Sequence, residues 1–260
     1  MSASEKREWD EMTRRRWIAD SYDDNAARLS GAQAAHLARV LRAQAGMQFD
    51  IVAGDRVRRG TIVELTDSTI VFALHEEIDA DPALPIALLL AVFKFDRMEW
   101  AIEKATELGV ERIVPVIARR TEKHLAQAAA ARVERWRRIA REAAQQSRRS
   151  NTVEISNPAQ IKDAIREEPE ATRLLLAETE RTIMLRDALS GPHESAAEGM
   201  NGETSLARIR LAIGPEGGWT PEEETLFAKE GWKPASLGPR ILRAETAAIA
   251  AVSIVAAWLD

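Results

Sequence analysis

The spacing of apolar residues changes near residue 85 and divides the chain. Before that point the apolar runs are short. Residues 13–18, 48–52, 56–65 and 69–75 each read as a strand, and Ala53-Gly54-Asp55 is a turn signal between the second and third. One helix interrupts them. Ser30 is its N-cap and Gln33 completes a capping box. Ala35, Leu37, Val40 and Leu41 form its apolar stripe, and Gly46 stops it. Short strands with a single helix predict a small β-barrel domain over residues 1–81, and Asp81-Pro82-Ala83-Leu84-Pro85 reads as a stiff linker.

Beyond the linker the runs lengthen. Residues 86–93 are apolar without a break, the mark of a strand buried on both faces. Asp96 is placed to cap a helix carrying Met98, Ile102, Ala105 and Leu108, with Gly109 at its end. Strands at 112–118, 152–155, 173–177, 208–213 and 235–237 then alternate with helices at 126–147, 158–166, 220–231 and 247–259. Thr220, Pro221 and Glu223 spell a capping box with proline at the first helical position. Such alternation predicts a mostly parallel sheet in an α/β domain over 82–260. The last helix is apolar almost all round, which suits a core or a subunit contact. Residues 190–205 form a polar, glycine-bearing loop with no assigned role.

Two glycine-proline bends lie in this second half, Ile213-Gly214-Pro215-Glu216-Gly217-Gly218 and Leu237-Gly238-Pro239-Arg240-Ile241-Leu242. Each follows a predicted strand and precedes a helix. Loops at the carboxyl ends of parallel strands are where α/β folds bind ligands. Glycine lets backbone come close to a ligand, and proline stiffens the loop. No Gly-Lys-Ser/Thr follows the first bend, so it is not a P-loop, and neither bend has dinucleotide-fold spacing. Arg240, Arg243 and Glu245 follow the second bend; the arginines suit a carboxylate or phosphate, or a surface ion pair. Glu216 suits either a ligand amine or a helix cap.

Composition narrows the chemistry. The 260 residues include no cysteine, which excludes disulfides, thiolate nucleophiles and zinc-thiolate or iron–sulfur sites. His36, His75, His124 and His193 show no metal-ligand spacing, so no metal is expected. No signal peptide or membrane span is read, and the expectation is a soluble, cytoplasmic protein. Net charge is −5, yet residues 132–149 hold seven arginines against Glu134 and Glu142. That basic stretch reads either as an RNA-phosphate contact or as a solvated helix face.

The two bends resemble the signature loops of bacterial 16S ribosomal RNA (uridine-N3) methyltransferases, of the SPOUT class of S-adenosylmethionine enzymes. Three further stretches agree: His36-Leu-Ala-Arg-Val-Leu-Arg42, Arg97 to Val110, and Glu142-Ala-Ala-Gln-Gln-Ser147 with Arg149. The resemblance runs from about Arg14 to the C-terminus. It implies an N-terminal PUA-like β-barrel that binds RNA, a C-terminal domain with a trefoil knot, and a homodimer. It also implies S-adenosylmethionine held by Leu176, Ala177 and Glu178, by Ile213 to Gly218, and by Leu237, Gly238, Arg240, Ile241 and Leu242. Arg243, Glu245 and Arg149 become the catalytic candidates. Arg14, Arg15, Arg16, His36, Arg39, Arg42, Arg120 and Arg148 become contacts to 16S ribosomal RNA or the small subunit. Where the family usually carries glycine before Arg149, this chain has Arg148.

The implied reaction needs N3 of a uracil in line with the methyl donor and stabilisation of the base as N3 loses its proton. Arg243, or the partner subunit's Arg149 or the partner subunit's Arg120, would stabilise that charge, and Glu245 is a candidate base. Three other readings stay open from sequence: the same fold acting on another RNA such as tRNA, a non-catalytic RNA-binding assembly factor, and a nucleotide-phosphate enzyme. The missing Walker lysine counts against the last.

Overall fold

The computed structural model describes residues 16–54, 56–80, 82–190 and 208–259. All but the first residue of the polar loop expected at 190–205 lies outside these. Contacts divide the chain into two compact units, 1–83 with 141–152, and 84–140 with 153–260.

The first unit is a six-stranded mixed sheet. Its strands are β1 (Arg16–Ile18), β2 (Ser21–Tyr22), β3 (Ala26–Ser30), β4 (Gln48–Ala53), β5 (Arg56–Leu65) and β6 (Thr69–Ile78). Their order is β1-β4-β5-β6-β3-β2, with β1 parallel to β4 and every other pair antiparallel. Among the described residues β1 and β2 are its two edges, so the closed barrel expected from the strand spacing is not seen. Trp17, Leu29, Leu37, Phe49, Ile51, Ile62, Ile70 and Phe72 fill its core.

The expected helix at Ser30 forms differently. Helix α1 covers only Gly31–Ala35, and His36–Val40 continues as a π-type turn. Ser30 makes no side-chain cap; its hydroxyl donates to Asp20 Oδ2 at 2.9 Å instead. An acidic partner reached through the sheet out-competes the local backbone amide. The capping box is therefore absent. The chain leaves the turn at Arg42, whose φ of 51° is left-handed, well before Gly46.

The second unit is a parallel sheet with helices on both faces. It contains β7 (Leu84–Ala91), α2 (Phe95–Glu107), β8 (Val110–Ile117), α3 (Lys123–Gln146), β9 (Glu154–Ile155), β10 (Ala159–Gln160) and α4 (Ile161–Ala164). After these come β11 (Thr172–Leu176), α5 (Leu185–Leu189), β12 (Ile209–Ile213), α6 (Pro221–Lys229), β13 (Lys233–Ala235) and α7 (Ala244–Leu259). The last turns of α3, from Arg141, count with the first unit. Strand order is β10-β8-β7-β12-β11-β13, with β9 also on β8, and all pairs are parallel.

Alternation along β7 divides its side chains between two cores. Ile86, Leu88 and Leu90 pack with Met98 and Ile102 of α2, Trp136 of α3 and Val252 of α7. Leu89 and Ala91 pack with Ile161 of α4, Phe227 of α6 and Trp232. Full burial of a leucine side chain is worth about 1.5–3 kcal/mol, so this strand anchors both faces.

Boundaries shift where tertiary contacts decide them. Lys94, not Asp96, is the N-cap of α2. Most of the helix expected at 158–166 is replaced by β10 and a single turn, because 159–160 pairs with β8. Helix α7 begins at Ala244, which puts Glu245 in its first turn. The capping box of α6 forms as read: Thr220 accepts from the Glu223 amide, and Glu223 accepts from the Thr220 amide.

One pairing arrangement is local to β13. Its residues 233–235 pair with β11, and on its other side Ser236 bridges Met184. The Ser236 amide donates to the Ile183 carbonyl at 2.8 Å and the Leu185 amide to the Ser236 carbonyl at 2.9 Å. A late strand thus lies between β11 and the segment that follows β11 by a few residues.

Candidate active site

Because the strands are parallel, the chain leaves β7, β8, β12, β11 and β13 at one edge of the sheet. The predicted ligand-binding segments are the loops of that edge. Leu176 ends β11, and its carbonyl accepts from Trp219 Nε1 at 3.1 Å. Ala177 is buried and donates to the Ala235 carbonyl, while Glu178 is exposed. Ile213 is buried at the end of β12, and Gly214-Pro215-Glu216-Gly217-Gly218 turns on a 2.8 Å bond from the Gly218 amide to the Pro215 carbonyl. Gly218 has φ 68°, and a Cβ there would sit 3.9 Å from the Glu178 carboxylate and 4.0 Å from Arg120 Nη1. Glu216 accepts from the Lys94 amide at 3.4 Å.

The second bend starts on buried Ser236, whose hydroxyl accepts from the Gly238 amide at 3.2 Å. Gly238 has φ 116°, outside the range that other residues adopt, and a Cβ there would lie 3.9 Å from Met184 Cε. Leu237 and Leu242 are half-buried, while Pro239, Arg240, Ile241 and Arg243 are exposed. The edge therefore offers apolar side chains, bare backbone at glycines, and the carboxylates of Glu178 and Glu216.

The catalytic candidates are not gathered in one place. Arg243 is exposed at the end of the second bend. Glu245 is buried, and its Oε1 lies 3.7 Å from Arg97 Nε. Arg149 belongs to the first unit, where it donates to Asn151 Oδ1 at 2.8 Å. Burial pushes its guanidinium down to about 10, which still leaves it charged at neutral pH.

The RNA candidates are also divided. Arg14 and Arg15 lie outside the described residues. Arg16 donates to the Arg148 carbonyl. His36 sits beside Trp17 with ring centroids 6.2 Å apart, Arg39 pairs with Asp67 at 3.3 Å, and Arg42 is exposed. Arg148 is exposed with φ 59°, and the next amide, of Arg149, donates back to Ala144 at 3.0 Å. This is a left-handed helix stop of the kind glycine usually makes.

Much of the basic stretch is neutralised at home. Arg132 and Arg135 pair with Glu99, Arg137 with Glu134, and Arg141 with Asp20. Arg120 is likewise engaged: its Nη1 donates to the carbonyls of Gly217 at 2.5 Å and Trp219 at 3.1 Å. Sequence reasoning missed Trp219, Arg97, Ser236 and Met184 at this edge. Only Trp219 carried a signal, as a large apolar residue beside a glycine turn.

A polar cavity of about 100 Å³ lies at the opposite edge, near the starts of β7, β8 and β12. Its charges satisfy one another: Arg112 pairs with Glu154 and Glu167, and Arg208 with Glu111 and Glu168. Among the described residues no cluster of three or more His, Asp or Glu could hold a metal, and no helix is long and apolar enough to cross a membrane.

Residues 80–256 match the family described as RNA methyltransferase domain. A curated relative, ribosomal RNA small subunit methyltransferase E of Synechocystis, is 34% identical over 89% of this chain and 73% of its own length. The chain belongs to this family of RNA methyltransferases. Two solved structures share its fold. A Legionella pneumophila putative methyltransferase in complex with the bound cofactor SAM is 28% identical, with TM-score 0.76 over 94% of this chain and 97% of that one. Ribosomal RNA small subunit methyltransferase E from Neisseria gonorrhoeae, bound to S-adenosyl methionine, is 26% identical, with TM-score 0.78 over the same shares.

Proposed function

We propose that this chain transfers a methyl group from S-adenosylmethionine to N3 of a uridine in 16S ribosomal RNA of the small subunit. The observation that carries the reading is the convergence of three bends, 177–184, 214–220 and 236–243, on one edge of the parallel sheet. Leu176, Ala177 and Glu178, Ile213 to Gly218, and Leu237 to Leu242 would hold the cofactor. Bare backbone at Gly217, Gly218 and Gly238 fits such a group: a Cβ at Gly217 would come within 3.1 Å of Arg120, and Gly218 and Gly238 hold φ of 68° and 116° that residues with side chains rarely adopt. When bound, the cofactor supplies an electrophilic methyl on a sulfonium, so the hardest part of the chemistry is its own.

What remains for the protein is orientation and charge. Exposed Arg243 would face the uracil oxygens as N3 loses its proton, stabilising the developing anion. Buried Glu245 would hold Arg97 toward the same edge and is a candidate to take the proton. The target base must be unpaired or extruded to reach the site.

The finer architecture follows the same reading. The placement of β13 between β11 and residues 183–184 supports a trefoil knot, with the late strand passing within the loop after β11. The mixed sheet of the first unit is read as a PUA-like RNA-binding domain, with Arg16, His36, Arg39, Arg42 and Arg148 near phosphates. Exposed Trp100, Ile254 and Trp258 on α2 and α7 support a homodimer through those helices. An enzyme of ribosomal RNA would work in the cytoplasm.

The test is a methyl-transfer assay on unmodified small subunits, free 16S RNA and tRNA, with mass mapping of the product base. Methylation at uridine N3 in small-subunit RNA is the expected result. Methylation confined to tRNA, or no S-adenosylmethionine binding by calorimetry, defeats the proposal.

A further inference from the structure

Arg120 was expected at the RNA face, yet its guanidinium is turned onto the first glycine bend. Its Nη1 donates to the Gly217 carbonyl at 2.5 Å and the Trp219 carbonyl at 3.1 Å. The bend answers with a bond in the other direction. Glu223, only 3% exposed, accepts from the Arg119 amide at 2.7 Å through Oε1 and from the Thr220 amide at 2.8 Å through Oε2. The turn after β8 is itself anchored, because the Thr121 hydroxyl donates to the Val92 carbonyl at 2.9 Å and accepts from the Ala118 amide at 3.2 Å.

The result is a closed set of bonds. Side chain from the β8 turn reaches backbone of the bend, and side chain from behind the bend reaches backbone of the β8 turn. Residues about 100 apart in sequence fix one another. The bend needs such support, since Gly217 and Gly218 have no side chains to pack. Gly217 also records how close the clamp lies: a Cβ there would come within 3.1 Å of Arg120 Cδ.

We propose that Arg120 and Glu223 are positioning residues for the methyl donor: they clamp the 214–220 bend in its binding shape before the donor arrives. This inference rests on the proposed cofactor site. A loop already ordered loses less entropy on binding, so the clamp should act on donor affinity and leave RNA affinity alone. A charged donor's hydrogen bond corresponds to roughly a 10- to 100-fold effect.

The test compares full-length wild type with Arg120→Ala, Arg120→Lys and Glu223→Gln. Three readouts are needed: calorimetric affinity for S-adenosylhomocysteine, amide hydrogen exchange of residues 214–220 without ligand, and affinity for small-subunit RNA across a salt series. Arg120→Ala should bind the nucleoside about 10- to 100-fold more weakly, and its bend should exchange faster. Arg120→Lys should recover part of both losses, and RNA affinity and salt slope should match wild type. Unchanged exchange together with nucleoside affinity within twofold of wild type overturns the clamp. So does a loss of RNA affinity with nucleoside affinity intact, which would return Arg120 to the RNA face. If Arg120→Ala does not fold, Glu223→Gln carries the test, with a smaller change in the same direction expected. Failure of wild type to bind the nucleoside would refute the proposed function, while the exchange comparison would still decide whether the bend is clamped.

Discussion

Gly238 offers a clean measure of how far the second bend depends on its backbone. Its φ of 116° lies beyond the left-handed helical range. Replacement by alanine meets no steric block, since the nearest atom to the added methyl would be Met184 Cε at 3.9 Å. The penalty is therefore conformational, about 1–3 kcal/mol. For a chain of this size each kcal/mol shifts Tm by about 2–4 °C, so Gly238→Ala should melt about 2–12 °C lower. Any relaxation turns the chain at the point where Pro239 to Leu242 begin, so the proposed cofactor wall should move as well. Gly46 supplies the control. It has φ 88° with nothing within 4 Å, and it lies in the first unit. Gly46→Ala should lose comparable stability with donor affinity intact. Differential scanning calorimetry and titration with S-adenosylmethionine give the two readouts. Equal Tm for Gly238→Ala and wild type would refute the strain argument, and equal donor affinity would refute the bend's role as a cofactor wall.

Arg148→Gly should raise Tm by about 2–4 °C, since it relieves a left-handed residue at a cost near 1 kcal/mol. The same change should make RNA binding about one unit less steep in log salt if Arg148 meets a phosphate. Arg210 is fully buried on β12, stacks over Trp232 at 5.6 Å and donates to the Ala164 carbonyl at 3.0 Å. Burial holds its guanidinium below the usual arginine range against the upward pull of Glu168 and Glu167. Arg210→Ala should therefore cost about 3–5 kcal/mol in urea unfolding, and Arg210→Met roughly half, because methionine keeps the packing on Trp232 and removes the desolvation penalty. Half-buried Glu180 accepts from the Thr182 hydroxyl and from the Thr182 and Ile183 amides, and these bonds pull its carboxyl down to about 2. A lowered folded pKa means that its contribution is whole above the unfolded value of about 4.5 and fades as pH falls toward 2. Melting wild type and Glu180→Gln from pH 6 to pH 2.5 should show the difference between them shrinking over that window.

What local chemistry decides could be read from the residues in order. The unbroken apolar run at 86–93 requires burial on both faces, and β7 is buried on both. Thr220, Pro221 and Glu223 are adjacent enough to cap a helix unaided, and they do. The alternation of strand and helix signals dictated a parallel sheet, because a strand followed by a helix returns parallel. Two glycine-proline bends marked where backbone would be bare.

What required partners distant in sequence could not be read so. Ser30 looked like a helix cap until Asp20, ten residues back, took its hydroxyl. The arginines of α3 read either as an RNA face or as a solvated one, and no local signal showed that Glu99 and Asp20 would pair with several of them. Arg120 reaches a carbonyl 97 residues away, and Ser236 lies beside Met184 only because β13 enters between two parts of the chain already paired in order. Sequence determines which groups need a partner, since propensity, capping and burial act within a few residues. Only the folded chain decides which partner each obtains, since that choice is made among all groups at once by geometry and desolvation.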